Sequence, residues 1–588
     1  MRQNWSAGIR GLSSVGLLLG ASLAVTAASC TGDIGDATAS STNPGPGAGT
    51  GGIMKQPVGA PGEIAGEGGS GGTASAGGTG GVVADAGQMN SGTGGAGAPD
   101  AGVIMPGSLV HGLAISDVAI YQAVKVSLVK NGAPVMTTNA PLVRNRPAFL
   151  RVFVTPGTGW TARSVVARLQ WGTGAPRDVM LAISGASTDI TLGTTVNFQL
   201  TAEDLTPNVQ WSVSLYEAPG GAGTGDTTGA RMPADGTPAM LTTTDPGTSL
   251  KIQMVPIRVN GNLPDTSAAQ IKFLTDAMFA TYPIAKIEAT VRDPIDAPSA
   301  VQAQGTGWDS ALNQVCMTRQ NDKPARNVFY YGLINPAATF QSYCAGGCVE
   351  GIAVLATNPN QDFMRCAMGI GYTNQGSGVF LQEVAHSMGR SHAPCGNPAQ
   401  PDRMYPYANG RIGVWGYDML HNRLLDPTKT VDFMSYCPQV WISDYTFAAL
   451  LPWIRAVNML VPMQDVSLDG TSPEIATGAS AALRSSGALT AESTLRFPPA
   501  RWRMATVESD GGVLWGPLVD FDELAGVESH TVVLRDAKQR LTTVSGVLIP
   551  HSRTGGGMLL LPATTPVSGR AIQIGADTIF RELRGVAP

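Results

Sequence analysis

Four residues with fixed spacing are the part of this chain best suited to chemistry. Glu383, His386, Gly389 and His392 form the pattern E-x-x-H-x-x-G-x-x-H. A zinc hydrolase needs three ligands on one side of the metal, an open position for water, and a carboxylate that takes the water's proton. On a helix, Gln382 and His386 share a face and Glu383 lies one step round. Because Gly389 lets the chain leave the helix, His392 can return as a third ligand.

The same stretch has the apolar residues that a packed helix needs. Val379, Val384 and Met388 offer a surface that could rest on a sheet. The alternative interpretation is a helix with two incidental histidines. Since the chain has only six histidines, the pattern is a strong signal of a metal site.

A second motif follows downstream, in the segment Asp-Phe-Met-Ser-Tyr-Cys that ends at Cys437. Together the two motifs resemble the metzincin signature, in which a Met-turn, here with Met434, lies beneath the metal. Tyr436 matches a tyrosine that touches the metal or the oxyanion in some metzincins. The resemblance implies a zinc endopeptidase with Glu383 as general base and Tyr436 as oxyanion stabiliser.

The surroundings are similar to the bacterial secreted family that includes mucin-cleaving metalloproteases. The similarity rests on residues 386–396, on Gly-Val-Trp-Gly-Tyr-Asp at 413–418 and on the Met-turn, and it spans about 250–453. It implies Zn²⁺ as cofactor and an extracellular protein or glycoprotein as substrate. Mucin specificity is not implied, since no substrate-contacting residue can be matched.

Gln382 departs from that signature, because it stands where the first zinc-binding histidine is expected. A neutral amide oxygen is a much weaker zinc donor than imidazole. Either His386, His392 and Gln382, with or without Tyr436, still hold zinc with reduced activity, or the protein is a catalytically inactive pseudoprotease. In the second case it would be a glycoprotein- or polysaccharide-binding surface lipoprotein. A third alternative is a surface-structure lipoprotein without a ligand.

Two residues could substitute for the missing ligand. Asp402 lies shortly after the motif, and His421 follows at a greater distance. We expect His421 on a loop surface instead.

Six of the seven cysteines lie within about 120 residues, an even set that an oxidising compartment would pair. Because the third ligand and the Met-turn should both border the metal, we expect a Cys395–Cys437 disulfide. Cys344 and Cys348 could bridge locally, which would leave Cys316 with Cys366.

The beginning of the chain predicts export. Residues 1–29 have an arginine-flanked start, a short apolar run and small residues before Cys30, as in a signal peptide. A transmembrane anchor is the alternative, but the run is short and only mildly apolar. Cys30 stands where a bacterial lipoprotein carries its lipid. We therefore expect an outer-membrane lipoprotein of the cell envelope, or else a secreted protein with an unpaired Cys30.

Composition separates the rest into segments. Residues 30–106 are rich in Gly, Ala, Ser and Thr and predict a lipid-anchored disordered tether, since such a stretch buries little apolar surface. The net charge of −5 and the lack of a basic stripe argue against nucleic-acid binding. We expect a monomer that meets the membrane only through the lipid.

The elements that must position the site lie in four segments. Alternation at Val209, Trp211 and Val213 predicts an Ig-like β-sandwich over 107–218, followed by a linker over 219–247. Alternating strands and helices over 248–460 predict a metzincin-like domain with a mixed sheet and an active-site helix. Ser267 and Gln270 suggest a capping box there.

Residues 461–588 return to a β pattern. We expect a small sandwich without chemistry of its own, in which His530 and His551 have no partner at ligand spacing. The expected fold class is therefore multidomain α+β, a metzincin-like catalytic domain flanked by β-sandwich domains.

Overall fold

The computed structural model describes residues 107–460, 500–521, 527–577 and 579–584, together with three two-residue strands at Val82–Val83, Arg496–Phe497 and Leu524–Ala525. The expected signal peptide, Cys30 and nearly all of the expected tether lie outside the described residues. The described part is multidomain and β-rich, with several separate sheets. It contains five α-helices, which are Ala268–Thr281, Trp308–Asp322, Phe340–Cys344, Ser377–His386 and Asp444–Asn458. None of these described helices is long and apolar enough to span a membrane.

Two antiparallel sheets share one apolar core in the first part of the chain. The alternation that begins at Val209 places Val209, Trp211, Val213 and Leu215 in the core. In order, the first sheet contains Ala239–Leu241, Val209–Glu217, Arg163–Trp171 and Arg177–Ile183, and Arg231–Met232 pairs with the second of these. The second sheet contains Arg423–Leu425, Gly416–Asp418, Leu113–Lys130, Ala148–Pro156 and Val196–Leu200, and Ala133–Pro134 pairs with the third.

The composition of these sheets differs from the expected segment boundaries. Residues 219–247, expected to be a linker, contribute two strands whose Met232 and Leu241 are buried. The hairpin at 416–425 comes from beyond the motif, yet it extends the second sheet by pairing with Leu113–Lys130. Both pairings join segments that are far apart or rich in Gly and Thr, so local periodicity could not reveal them.

The motif belongs to a third sheet whose core is parallel. Its order is Val82–Val83, Ile287–Val291, Leu250–Arg258, Val328–Ile334, Cys366–Ile370 and Gly351–Ala353, with Ile295–Asp296 pairing on Leu250–Arg258. The four central strands are parallel, and Gly351–Ala353 runs antiparallel at one edge. We call Gly351–Ala353 the edge strand. At the other edge, Val82–Val83 pairs with Ile287–Val291, although it falls within the expected tether.

The helix Ala268–Thr281 begins as predicted at Ser267, whose hydroxyl accepts a hydrogen bond from the backbone N–H of Gln270. The Gln270 side chain does not complete a capping box. Its amide nitrogen donates to the backbone oxygens of Tyr372 and Gln375 at 3.2 and 3.1 Å. Gln270 therefore holds the loop that leads into the motif helix.

The C-terminal part is a closed β-barrel, so the expectation of a second sandwich was wrong. Ala500–Val507 pairs with a strand on each side, and the barrel closes through a parallel contact between Val513–Phe521 and Arg581–Arg584. A barrel has no exposed edge, whereas a sandwich of the same strands would have four. In order, the seven strands are Ala500–Val507, Val513–Phe521, Arg581–Arg584, Gly569–Ile574, Ser529–Asp536, Leu541–Pro550 and Gly557–Pro562.

Candidate active site

The helix Ser377–His386, called the motif helix below, is fixed against the third sheet. Val379 and Phe380 are buried, and the Phe380 ring meets that of Tyr331 edge-on at 4.7 Å between centroids. Tyr282 donates a 2.5 Å hydrogen bond to the backbone oxygen of Leu381. These contacts leave the helix little freedom to rotate, so its polar side chains keep their direction.

Gly389 turns the chain back after the helix. Its φ is +75°, and a Cβ there would lie 2.7 Å from the Trp453 ring, so both the conformation and the space require glycine. The turn brings His392 to His386, with their Nε2 atoms 3.1 Å apart and the rings at 77°. The predicted return of the second histidine is therefore present in the structure.

The hydrogen bonds of the two rings determine what they can bind. Nδ1 of His386 lies 2.6 Å from the backbone oxygen of Arg390, and Nδ1 of His392 lies 2.8 Å from that of Ala399. A carbonyl only accepts, so each Nδ1 carries the proton and each neutral Nε2 presents a lone pair. Two lone pairs that face each other at 3.1 Å repel unless a cation lies between or beside them.

Burial keeps these imidazoles neutral. It lowers the pKa of His386 well below its usual value, and the neighbouring His392 lowers it further. Burial also lowers the pKa of His392 to about 4. Because a metal ligand must be the neutral imidazole, the donor set fits a metal such as zinc.

Glu383 follows Gln382 on the motif helix and lies in a closed environment. It is 1% exposed, and a Cβ on Gly351 would come within 2.7 Å of its Cγ. Burial raises the pKa of Glu383 to about 7, although the charge of Arg553 and a hydrogen bond from Ser552 lower it. A carboxyl group with a pKa near neutrality can both accept and release a proton at physiological pH.

Gln382 is buried, with 2% of its surface exposed, one helical turn before His386. Its position is thus the one that the spacing predicted. An amide side chain there offers oxygen and no basic nitrogen. The motif helix therefore carries a buried amide at the position where the signature has a histidine.

The segment around Met434 lies directly against the turn after the motif helix. The backbone N–H of Ala393 donates to the Met434 oxygen at 3.0 Å, and that of Tyr436 donates to the Cys395 oxygen at 3.0 Å. The Tyr436 ring meets the His392 ring at 4.8 Å between centroids. Met434 is buried, and its N–H donates to the carboxylate of Asp432 at 2.8 Å.

Three disulfides are formed by the cysteines of this region. Cys395 joins Cys437 and so ties the segment after His392 to the Met434 segment. Cys316 joins Cys366, and Cys344 joins Cys348. These are the pairs considered from the sequence. Glu350 lies beside Cys344 and Cys348, but thiols that form a disulfide are not metal ligands.

The two substitute ligands have other partners. Asp402 accepts hydrogen bonds from Arg390 at 3.2 Å and from Tyr445 at 3.0 Å. His421 lies in the hairpin at 416–425, where its Nδ1 is 2.8 Å from a carboxylate oxygen of Asp418. Its side chain is 57% exposed, as expected for a loop surface.

Sequence reasoning missed the contribution of the C-terminal barrel. Residues 551–556, called the barrel loop below, connect two barrel strands and reach the motif. The hydroxyl of Ser552 donates to Glu383 Oε2 at 2.9 Å, and Arg553 Nε donates to the Tyr436 hydroxyl at 3.1 Å. The Arg553 guanidinium also lies over the Tyr436 ring, 4.4 Å from its centroid. No local signal could have found these contacts, which cross more than a hundred residues of chain.

Comparison with known proteins supports a protease. Residues 352–438, which include the motif and the Met434 segment, match the sequence model of the family described as Peptidase M66. The chain resembles a metalloprotease family. It is 26% identical over 245 residues to dictomallein from Burkholderia mallei (strain SAVP1) and from Burkholderia pseudomallei (strain 668). The similarity covers 38% of this chain and 35% of each relative, so the chain spans about a third of the length of the curated relatives it matches.

Proposed function

We propose that this protein is a zinc metalloendopeptidase of the metzincin type that cleaves extracellular proteins or glycoproteins. One observation carries the proposal: the Nε2 atoms of two neutral imidazoles lie 3.1 Å apart, at the end of a helix that also carries a buried carboxyl group with a pKa near 7. His386 and His392, with Gln382 as a weaker oxygen ligand, would hold the zinc. Bound zinc supplies a Lewis acid that polarises the scissile carbonyl and acidifies water.

Each remaining residue has a role that follows from its position. Glu383 would take a proton from the attacking water and pass it to the leaving amine, for which its pKa is suited. Tyr436, next to His392, would donate a hydrogen bond from its hydroxyl to the developing oxyanion. The buried Met434 segment supports this side of the site.

The cellular setting is part of the same proposal. Three disulfides suit an oxidising compartment, in line with export through the signal peptide and anchoring at Cys30. We place the protein in a bacterial cell envelope, as an outer-membrane lipoprotein or a secreted protein, acting as a monomer without nucleic acid.

A pseudoprotease is the second candidate, and Gln382 is the observation that favours it. Changes around zinc ligands that do not even touch the metal cost roughly 10- to 100-fold in affinity or activity, and a direct ligand should cost at least as much. In that case the cleft would bind glycoprotein or polysaccharide without cleavage.

Zinc content and casein cleavage of purified wild type, Gln382→His and Glu383→Ala distinguish the two. The protease predicts zinc and cleavage in wild type, with zinc retained but cleavage abolished in Glu383→Ala. Gln304→His, at an exposed glutamine, is the matched control for an added histidine. Zinc and cleavage that occur only in Gln382→His would establish the pseudoprotease, and no zinc in any variant would reject the metal site.

A further inference from the structure

The barrel loop pairs with the edge strand as an added strand would. The backbone N–H of Ser552 donates to the Ala353 oxygen at 2.8 Å, and that of Leu355 donates to the Pro550 oxygen at 3.2 Å. Between these bonds, Val354 and His551 form an antiparallel bridge. The Ala353 N–H donates to the Ser552 hydroxyl at 2.9 Å.

A sheet edge of this kind is the usual place for an extended peptide to bind, because its main-chain groups are ready to pair. One side of the edge strand is already paired with Cys366–Ile370. The loop takes the other side, next to the motif helix. A peptide cannot use the main-chain groups of Ala353 and Leu355 while the loop holds them.

The same loop also contacts the side chains that would carry out the chemistry, Glu383 and Tyr436. Ser552 hydrogen-bonds Glu383, and Arg553 engages both the hydroxyl and the ring of Tyr436. With the loop docked, Glu383 and His386 are no more than 1% exposed. One short segment therefore covers Glu383, Tyr436 and the unpaired side of the edge strand.

Buried contacts hold the loop on both sides of Ser552 and Arg553. His551 and Thr554 each hydrogen-bond Asp309 Oδ1, at 2.7 and 2.5 Å, at the start of the helix Trp308–Asp322. His551 and Asp309 side chains are fully buried. The loop is therefore docked by buried contacts between the barrel and the helix Trp308–Asp322.

We infer that the barrel loop is an autoinhibitory pseudosubstrate, which lies in the cleft in place of an extended peptide and must leave before one can bind. We call the docked barrel loop the latch. This inference rests on the peptide-binding cleft of the proposed function, but not on catalysis in that cleft. A cleft that is open for only a small fraction of the time binds a ligand more weakly by that same fraction.

The test replaces residues 551–556 by Asn-Gly in the full chain. Pro550 and Gly557 are register partners, so a two-residue turn can close the hairpin. Glu383→Gln is present throughout so that nothing is cleaved, and its amide oxygen can still accept the Ser552 hydrogen bond. Binding of fluorescein-labelled casein, followed by anisotropy, should become at least about 10-fold tighter than with the loop intact. Lys538→Ala, in the exposed turn at 537–540, is the control and should leave binding unchanged.

Ser552→Pro is the second variant, in case the shortened hairpin fails to fold. It removes the N–H and the hydroxyl that pair with Ala353, and it leaves His551 and Thr554 in place. Casein binding that is unchanged or weaker in the folded variants would overturn the latch.

The two proposals fail separately. If the shortened chain with Glu383 restored binds casein but does not cleave it, the protease is rejected and the latch stands. If the intact and shortened chains cleave at the same rate, the latch is rejected and the protease stands.

Discussion

The Cys395–Cys437 disulfide should stabilise the proposed metal site as well as the fold. It closes a loop across 42 positions of sequence. In the chain-entropy account, a crosslink of that span stabilises the folded protein by about 4 kcal/mol. We expect Cys395→Ser with Cys437→Ser to lower the free energy of unfolding by that amount. Because the loop includes Tyr436 and begins three residues after His392, zinc affinity should also fall, by roughly 10- to 100-fold.

Cys316–Cys366 is the matched control. Its span of 50 positions predicts nearly the same loss, again about 4 kcal/mol, when both cysteines become serine. Both residues are buried, so added hydroxyl groups can only increase that loss. This crosslink ties the helix Trp308–Asp322 to the strand Cys366–Ile370, away from the His392 loop.

Urea unfolding gives the stability of each double variant, and a competing zinc chelator gives its zinc affinity, measured where each remains folded. The expected result is similar destabilisation in both pairs and a loss of zinc affinity confined to the Cys395–Cys437 pair. An equal loss of zinc affinity in the two pairs would show that affinity follows general stability. The Cys395–Cys437 disulfide would then have no specific effect on the proposed metal site.

Two further predictions concern the supports of the site. Gly351→Ala would bring a Cβ within 2.7 Å of Glu383 Cγ, so casein cleavage should fall and stability should drop by about 1–3 kcal/mol. Gly346→Ala, which meets no atom within 4 Å, should change neither, and equal effects would contradict the steric reason. Asp432→Ala would leave the buried N–H of Met434 without its carboxylate acceptor. The free energy of unfolding, measured in urea, should fall by about 1–3 kcal/mol. A decrease too small to measure would show that this hydrogen bond does not hold the turn.

Local patterns predicted the elements whose structure depends on neighbours in sequence. The alternation from Val209 predicted a half-buried strand, and Ser267 predicted a helix start. The spacing of His386 and His392 predicted that their rings would meet, because helix geometry and one glycine turn determine it.

Contacts between distant segments could not be predicted in this way. The hairpin at 416–425 joins a sheet that begins three hundred residues earlier, and the barrel closes through a parallel pair near the end of the chain. His551 gave no signal either. Its partner Asp309 is 242 residues away, and a buried hydrogen bond of that kind leaves no periodic trace.

Gln382 and Arg553 of the barrel loop should both affect zinc affinity, Gln382 as a weak ligand and Arg553 through its charge. The charge of Arg553 lowers the pKa of both His386 and His392, which means that it disfavours a further positive charge at their rings. A zinc dication experiences the same repulsion. Arg553→Ala should therefore raise zinc affinity, in wild type and in Gln382→His by a similar factor, since the repulsion does not depend on the third ligand. Chelator competition measures both factors. If Arg553→Ala lowers the affinity instead, Arg553 supports the metal site and does not compete with the ion.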